Sequence, residues 1–229
     1  TMTDRPPESA DIVFVGAGLG SLTCAVELAR QGFTVCVFEQ RHNPGGYAQH
    51  FEREGFDVDL SLHHIGGLDR GCMTHGVLRS LGVLERLELH RRERLFTAEF
   101  QDQTSYQLPN DERSLIEALA SWFPRDAKGL EQLFRDVKSL KTDAFAPFVG
   151  STDGIPLEER LSASYQTSTF EQLLRSYVSS PRLLVLLGQL WQSIGLPPSR
   201  SSAVFSACVF ASSFADGAYS IGGGGQALT

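Results

Sequence analysis

Ile12-Val13-Phe14-Val15-Gly16-Ala17-Gly18-Leu19-Gly20-Ser21-Leu22 is the stretch that decides the fold. Four apolar residues without polar alternation read as a strand of a parallel sheet, buried on both faces. Glycines follow at once. Leu22, Ala25, Val26, Leu28 and Ala29 then recur at helical spacing, and Gly32 closes the helix. Thr34-Val35-Cys36-Val37-Phe38 reads as a second buried strand, which completes a β-α-β unit. Between first strand and helix, Gly16 and Gly18 occupy the first two positions of G-x-G-x-x-G, and Ser21 stands at the third, after Leu19 and Gly20. The first glycine permits the tight turn and the second lets backbone come near a pyrophosphate. The small Ser21 still allows close helix–strand packing. The helix start offers unpaired N–H groups and a positive dipole end to an anion.

Working outward, Glu39 ends the second strand about 20 residues after Gly18, where a carboxylate accepts hydrogen bonds from a ribose. A carboxylate there disfavours a 2′-phosphate. Next comes Glu39-Gln40-Arg41-His42-Asn43-Pro44-Gly45-Gly46-Tyr47. A glycine pair at this point suits the longer cofactor FAD rather than NAD. FAD runs on past the pyrophosphate, and backbone beside its ribityl and flavin region needs residues without Cβ. Arg41 supplies a cation for the diphosphate.

The bulk composition sets bounds. Over 229 residues, 41% are apolar and 21% charged, a globular balance long enough for one large domain or two small ones. The net charge of −7 argues against a nucleic-acid partner and against a polybasic membrane anchor. The four cysteines, Cys24, Cys36, Cys72 and Cys208, form no C-x-x-C pair, and no metal site is expected. Cys24 and Cys36 sit in apolar patterns and read as buried free thiols, which fits a cytoplasmic location. The start, Thr1-Met2-Thr3-Asp4, has neither basic residues nor an apolar run, so no secretory leader is expected. Contact with a membrane would be peripheral at most.

Residues 1–10 read as a flexible lead-in and 11–90 as the N-terminal part of a Rossmann-type α/β FAD-binding domain. Residues 91–218 read as part of a mixed α+β, largely helical substrate domain, and 219–229 as a glycine-rich return segment. From residue 45 to 71 glycines punctuate a loop-rich stretch. A helix is expected near 73–81 and a strand pair at Leu95–Phe100 and Ser105–Leu108. Apolar stripes follow: Leu115, Ile116, Leu119, Trp122 and Phe123 up to Pro124, then Leu130, Leu133, Phe134, Val137 and Leu140. Ser168 opens a capping-box pattern with Glu171. Pro181 opens a helix with Leu183, Leu184, Leu187, Leu190 and Trp191 inward, broken at Pro197-Pro198, and a last helix covers about 201–214.

The run from Asp11 to about Gly67 resembles the flavin-binding start of the phytoene desaturase, carotenoid isomerase and retinol saturase family. The carriers are Gly-Ala-Gly-Leu-Gly-Ser-Leu at 16–22, the stretch from Glu39 to Tyr47, and Gly55-Phe56-Asp57-Val58-Asp59. His63-His64-Ile65-Gly66 is most similar to the retinol saturase branch. Tyr219 to Leu228 resembles the family's later Tyr…Pro-x-Gly-Gly-x-x-x-Leu segment, with Ile221 where proline is common.

The resemblance implies a GR2-like flavoprotein that transfers hydride between flavin N5 and an apolar substrate, in C–C desaturation, saturation or isomerisation. It places Gly16, Gly18 and Ser21 at the pyrophosphate and Glu39 at the ribose, with Leu19, Gly20 and Gln40 also among the cofactor-binding residues. Arg41, Gly45, Gly46 and Tyr47 fall along the diphosphate and ribityl, and Asp59 and Gly66 near the flavin ring. His63 and His64 are the candidates for acid–base work, since histidine titrates near neutral pH. Members of the family run to about twice this length, so the resemblance implies a fold incomplete without a C-terminal half; a second polypeptide, as a separate subunit or a cleavage product, is the favoured source of that half, and a truncated or inactive chain is the competing reading. Two other readings stay open: a flavin amine oxidase acting on C–N bonds, and a non-catalytic binder like the Rab GDP-dissociation inhibitors.

Overall fold

The computed structural model describes residues 8–149 and 155–229, which divide into two compact units. The first comprises the chain up to Arg91 together with Ala218–Thr229, and the second Arg92–Gly217.

The first unit begins with a Rossmann-type β-α-β. Strand β1 (Ile12–Val15) lies parallel to β2 (Val35–Phe38), in register from Ile12↔Val35 to Val15↔Phe38. Helix α1 (Leu19–Arg30) connects them. A hairpin follows, β3 (His50–Arg53) and β4 (Phe56–Asp59). Its two-residue turn has positive φ at both positions, Glu54 at 54° and Gly55 at 82°, the geometry that matches strand twist. This hairpin occupies part of the stretch that the glycine spacing predicts to be loop, because strands of four residues, one of them with a single apolar side chain, give little pattern beside the glycines. Two further strands, β5 (Ile65–Gly66) and β6 (Leu89–Arg91), flank β9 (Ala218–Ile221) in an antiparallel sheet. Helix α2 (Met73–Ser80) lies between β5 and β6 in sequence.

The β1 run is not buried on both faces. Val13 is 54% exposed and Val15 90%, because β1 pairs with β2 alone among the described residues. Leu68 is the only large apolar side chain of this unit that is buried among the described residues. Nor are the two thiols buried as their apolar surroundings suggest: Cys24 faces outward on α1 and Cys36 is partly exposed. All four cysteines are free.

The second unit holds the hydrophobic core. It opens with the hairpin β7 (Arg94–Glu99) and β8 (Ser105–Pro109). Six α-helices follow among the described residues: α3 (Glu112–Trp122), α4 (Ala127–Val149), α5 (Phe170–Arg175), α6 (Pro181–Gly188), α7 (Trp191–Ile194) and α8 (Ala203–Ala215). The α4 stripe of Leu130, Leu133, Phe134, Val137 and Leu140 is fully buried, facing Phe210 and Phe214 of α8. Each such side chain contributes about 1.5–3 kcal/mol by leaving water. Asp126, at the head of α4, accepts from Ser179 N at 2.8 Å and Ser180 N at 3.2 Å as well as from both hydroxyls. Burial pushes its carboxyl up, but these donors outweigh that and hold it below the usual aspartate range.

Two expected boundaries move. The capping box uses Thr169 with Gln172, one residue after Ser168, because Thr169 is the residue whose extended backbone precedes the first helical turn. The helix opened by Pro181 ends at Gly188, well before Pro197. A separate short helix ends at Gly195, left-handed at φ 84°, and Trp191 is 42% exposed rather than inward.

Gly129 gives a test of this packing. A Cβ there would lie inside the envelope of the Tyr177 backbone carbonyl, which no rotamer change relieves. Gly129→Ala improves helix propensity by about 1 kcal/mol, yet we expect it to destabilise the protein by about 2 kcal/mol net through overpacking. A urea midpoint unchanged or raised by this substitution would contradict the packing described.

Candidate functional site

The turn after β1 is built by opposing constraints. Gly16 has φ 99°, open to glycine and strained for other residues, and its N–H donates to Phe38 O at 2.7 Å. Gly18 is the N-cap of α1 with an ordinary φ of −71°. The first N–H groups of α1 have no intrahelical acceptor and point toward the turn.

A second turn packs against the first. Gly45 N donates to Ala17 O at 2.7 Å, and Gly18 and Gly45 form a parallel bridge. Gly45 and Gly46 have φ 120° and 60°. A Cβ on Gly46 would stand 3.3 Å from the Gly18 Cα, and one on Gly45 would stand 2.9 Å from the Thr229 side chain. Positive φ at both positions, the Gly18 backbone beside Gly46 and the Thr229 side chain beside Gly45 give each glycine a reason within the protein, in addition to the approach to a ribityl chain expected from sequence.

Glu39 ties the two turns together. Its Oε2 accepts from Ala17 N at 2.8 Å and its Oε1 from Arg41 N at 2.9 Å. These backbone donors, Ala17 first, hold the carboxyl below the usual glutamate range. Each oxygen keeps a further lone pair for a ligand hydroxyl.

A cavity of about 830 Å³ opens beside these groups, lined by Val15, Gly16, Gly18, Phe38, Glu39, Gln40, Arg41, Gly46, Tyr47, Leu60 and Ser61. Seven sequence-predicted residues thus meet: Gly16, Gly18, Glu39, Gln40, Arg41, Gly46 and Tyr47. Tyr47 is 83% exposed at its mouth. Leu19, Gly20 and Ser21 form the first turn of α1, and Gly45 is buried behind Gly46.

The remaining candidates lie elsewhere in the first unit. Asp59, at the end of β4, accepts from Gly225 N at 3.0 Å, and a Cβ on Gly224 would strike its carboxylate. Its role here is to seat the glycine-rich turn after β9. Gly66 pairs with Ala218. His63 and His64 are exposed and are not among the lining residues; His63 N closes a tight turn onto Ser61 O at 3.1 Å.

Two residues that sequence reasoning missed, Gln49 and Gln226, hold the second turn. Gln49 is only 6% exposed, accepts from Arg41 Nη1 at 3.4 Å and donates to Asn43 O. Gln226 Nε2 donates to Pro44 O at 3.0 Å. A lone glutamine carries no spacing signal, so only the fold reveals either.

Residues 15–78 match the NAD(P)-binding Rossmann-like domain. Human all-trans-retinol 13,14-reductase is 26% identical over 97% of this chain, and the match spans 39% of that protein. The 4,4′-diapophytoene desaturase of Staphylococcus haemolyticus is 26% identical over 85% of this chain and 40% of its own length.

The chain is a homologue of retinol reductases and carotenoid desaturases.

A solved putrescine oxidase superposes on 96% of this homologue and 47% of its own chain, with TM-score 0.63 and 20% identity, which establishes a shared fold. This homologue spans about two fifths of the length of the curated relatives it matches.

Because Glu39 sits below its usual range, its two backbone bonds persist above that range and are lost only as pH falls through the lowered value. In an NMR titration, the Ala17 and Arg41 amide protons should shift together, with a midpoint below the ordinary glutamate value. Glu39→Gln should abolish the transition; a shared midpoint at or above the ordinary value would show that the carboxylate does not hold these amides.

Proposed function

We propose that this chain binds FAD in the cavity beside Gly18 and serves an oxidoreductase that acts on C–C bonds of an apolar substrate. One observation carries the reading. Gly16, Gly45 and Gly46 are each explained by positive φ or by neighbouring atoms, whereas Gly18 has an ordinary φ and a Cβ there would meet nothing within 4 Å. A ligand approaching the start of α1 gives that glycine its reason, and the helix dipole with its free N–H groups suits a pyrophosphate. Glu39 would take the ribose hydroxyls and Arg41 the diphosphate. A bound flavin would supply hydride transfer at N5.

The substrate class rests on sequence likeness, which runs to a retinol reductase and a diapophytoene desaturase, both named for polyene substrates. Amine oxidation shares the fold alone. We place His63 and His64 as candidates for proton transfer once substrate and flavin are assembled. Apolar residues bare away from the cavity, Val13 on β1 and Phe56 on β4, support a further reading. A complementing half on a second polypeptide would cover them.

Gly18→Val tests the site directly. The apo fold should tolerate it, with a melting temperature lowered by no more than a few degrees through the poorer N-cap, while FAD affinity falls about 100-fold or more as the side chain fills the pyrophosphate position. Absorbance near 450 nm (about, for oxidised flavin) should accompany the unsubstituted protein and vanish from the variant. Equal flavin content in both would remove FAD from this cavity. For the partner, native mass spectrometry should show a heteromer carrying flavin; a flavin-loaded monomer of this chain would count against the second polypeptide.

A further inference from the structure

We infer that Gln49 is a positioning residue: its buried side-chain amide holds the Arg41 guanidinium at the diphosphate side of the cavity without cancelling its charge. The inference rests on the FAD reading above.

Gln49 lies just past the 3-10 turn Gly46–Ala48 and is 6% exposed, a depth at which an amide must use its donors and acceptor. Its oxygen accepts from Arg41 Nη1 at 3.4 Å, and its nitrogen donates to Asn43 O. Its backbone is also fixed, with the N–H toward Gly46 O at 3.4 Å and the carbonyl accepting from Leu60 N at 3.0 Å. With its backbone fixed at both N–H and carbonyl and its amide nitrogen on Asn43 O, Gln49 presents its amide oxygen to a side chain that is itself exposed and lines the cavity.

The chemistry of the partner matters. Arg41 has no ion-pair partner among the described residues, although Glu39 is two positions away. The Glu39 carboxylate is turned to the Ala17 and Arg41 backbone amides instead. A long, exposed arginine left to itself samples many rotamers, and ordering it on ligand binding costs affinity. A carboxylate partner would order it but neutralise it. A neutral amide orders it and adds no opposing charge to the weaker, longer-range pull of Glu39, so that most of the positive charge stays available to an incoming anion. Gln226, which fixes the same turn through Pro44 O, does not touch Arg41 and so marks the difference between holding the turn and aiming the cation.

The experiment is a double-mutant cycle on FAD affinity, read by flavin fluorescence quenching on the full chain. It compares the unsubstituted protein, Arg41→Ala, Gln49→Met, and the pair. Methionine keeps the buried volume and removes both amide bonds. Gln49→Met should weaken FAD about tenfold in the presence of Arg41, and less than about twofold once Arg41 is gone. Equal losses in both backgrounds would mean that Gln49 only braces the turn, and would overturn the inference while leaving FAD binding intact. No FAD binding by the unsubstituted protein would overturn the flavin reading and this one with it. Should Gln49→Met fail to fold, Gln49→Glu keeps the size and the oxygen facing Arg41 but neutralises the cation. Its FAD affinity should fall about tenfold and lose most of its salt dependence. Affinity and salt dependence like those of the unsubstituted protein would refute the role.

Discussion

The contact between two glycine-bearing turns governs the first unit. Gly45 N reaches Ala17 O at 2.7 Å, and Gly46 comes so near Gly18 that a Cβ would press on its Cα. Glu39 then bonds to one amide from each side of this junction. The result is a rigid corner in which the start of α1, a carboxylate and a cation all face one cavity. Little of it depends on side-chain burial. It depends on backbone hydrogen bonds and on residues without Cβ, which is why it persists in a unit with so little apolar packing.

The two units are stabilised differently. Residues 92–217 enclose a continuous apolar core built on the α4 stripe and the α8 phenylalanines, together with a buried Asp126 that is fully engaged by Ser179 and Ser180. The first unit buries mostly alanines and glycines and leaves Val13, Val15, Phe38 and the hairpin residue Phe56 in solvent. Exposed apolar surface on a parallel strand pair is costly unless other protein covers it.

Much was legible in advance where local physics is strong. The β-α-β unit, the helices of the second unit and the grouping of Gly16, Gly18, Glu39 and Arg41 all follow from short-range patterns. The hairpin at 50–59 was not legible, because each strand is four residues long and, although Phe56-Asp57-Val58-Asp59 alternates, its partner His50–Arg53 carries Phe51 as its one apolar residue. Strand β9 was hidden for a similar reason: four residues before a glycine run carry no signal until β5 and β6 are seen to flank it. Asp59 was legible as a residue of interest, but its bond to Gly225 is set by a partner 166 positions away.

By itself the amino-acid sequence determined the turn chemistry of the cofactor corner. Glycine spacing, helix start and acid position are encoded within about 20 residues, over which sterics and hydrogen bonding leave few choices. The tertiary structure alone decided which surfaces are bare, why Gly45 and Gly46 must lack side chains, and that Gln49 stands behind Arg41. Those depend on segments distant in the chain arriving at the same place, and no local preference carries that information.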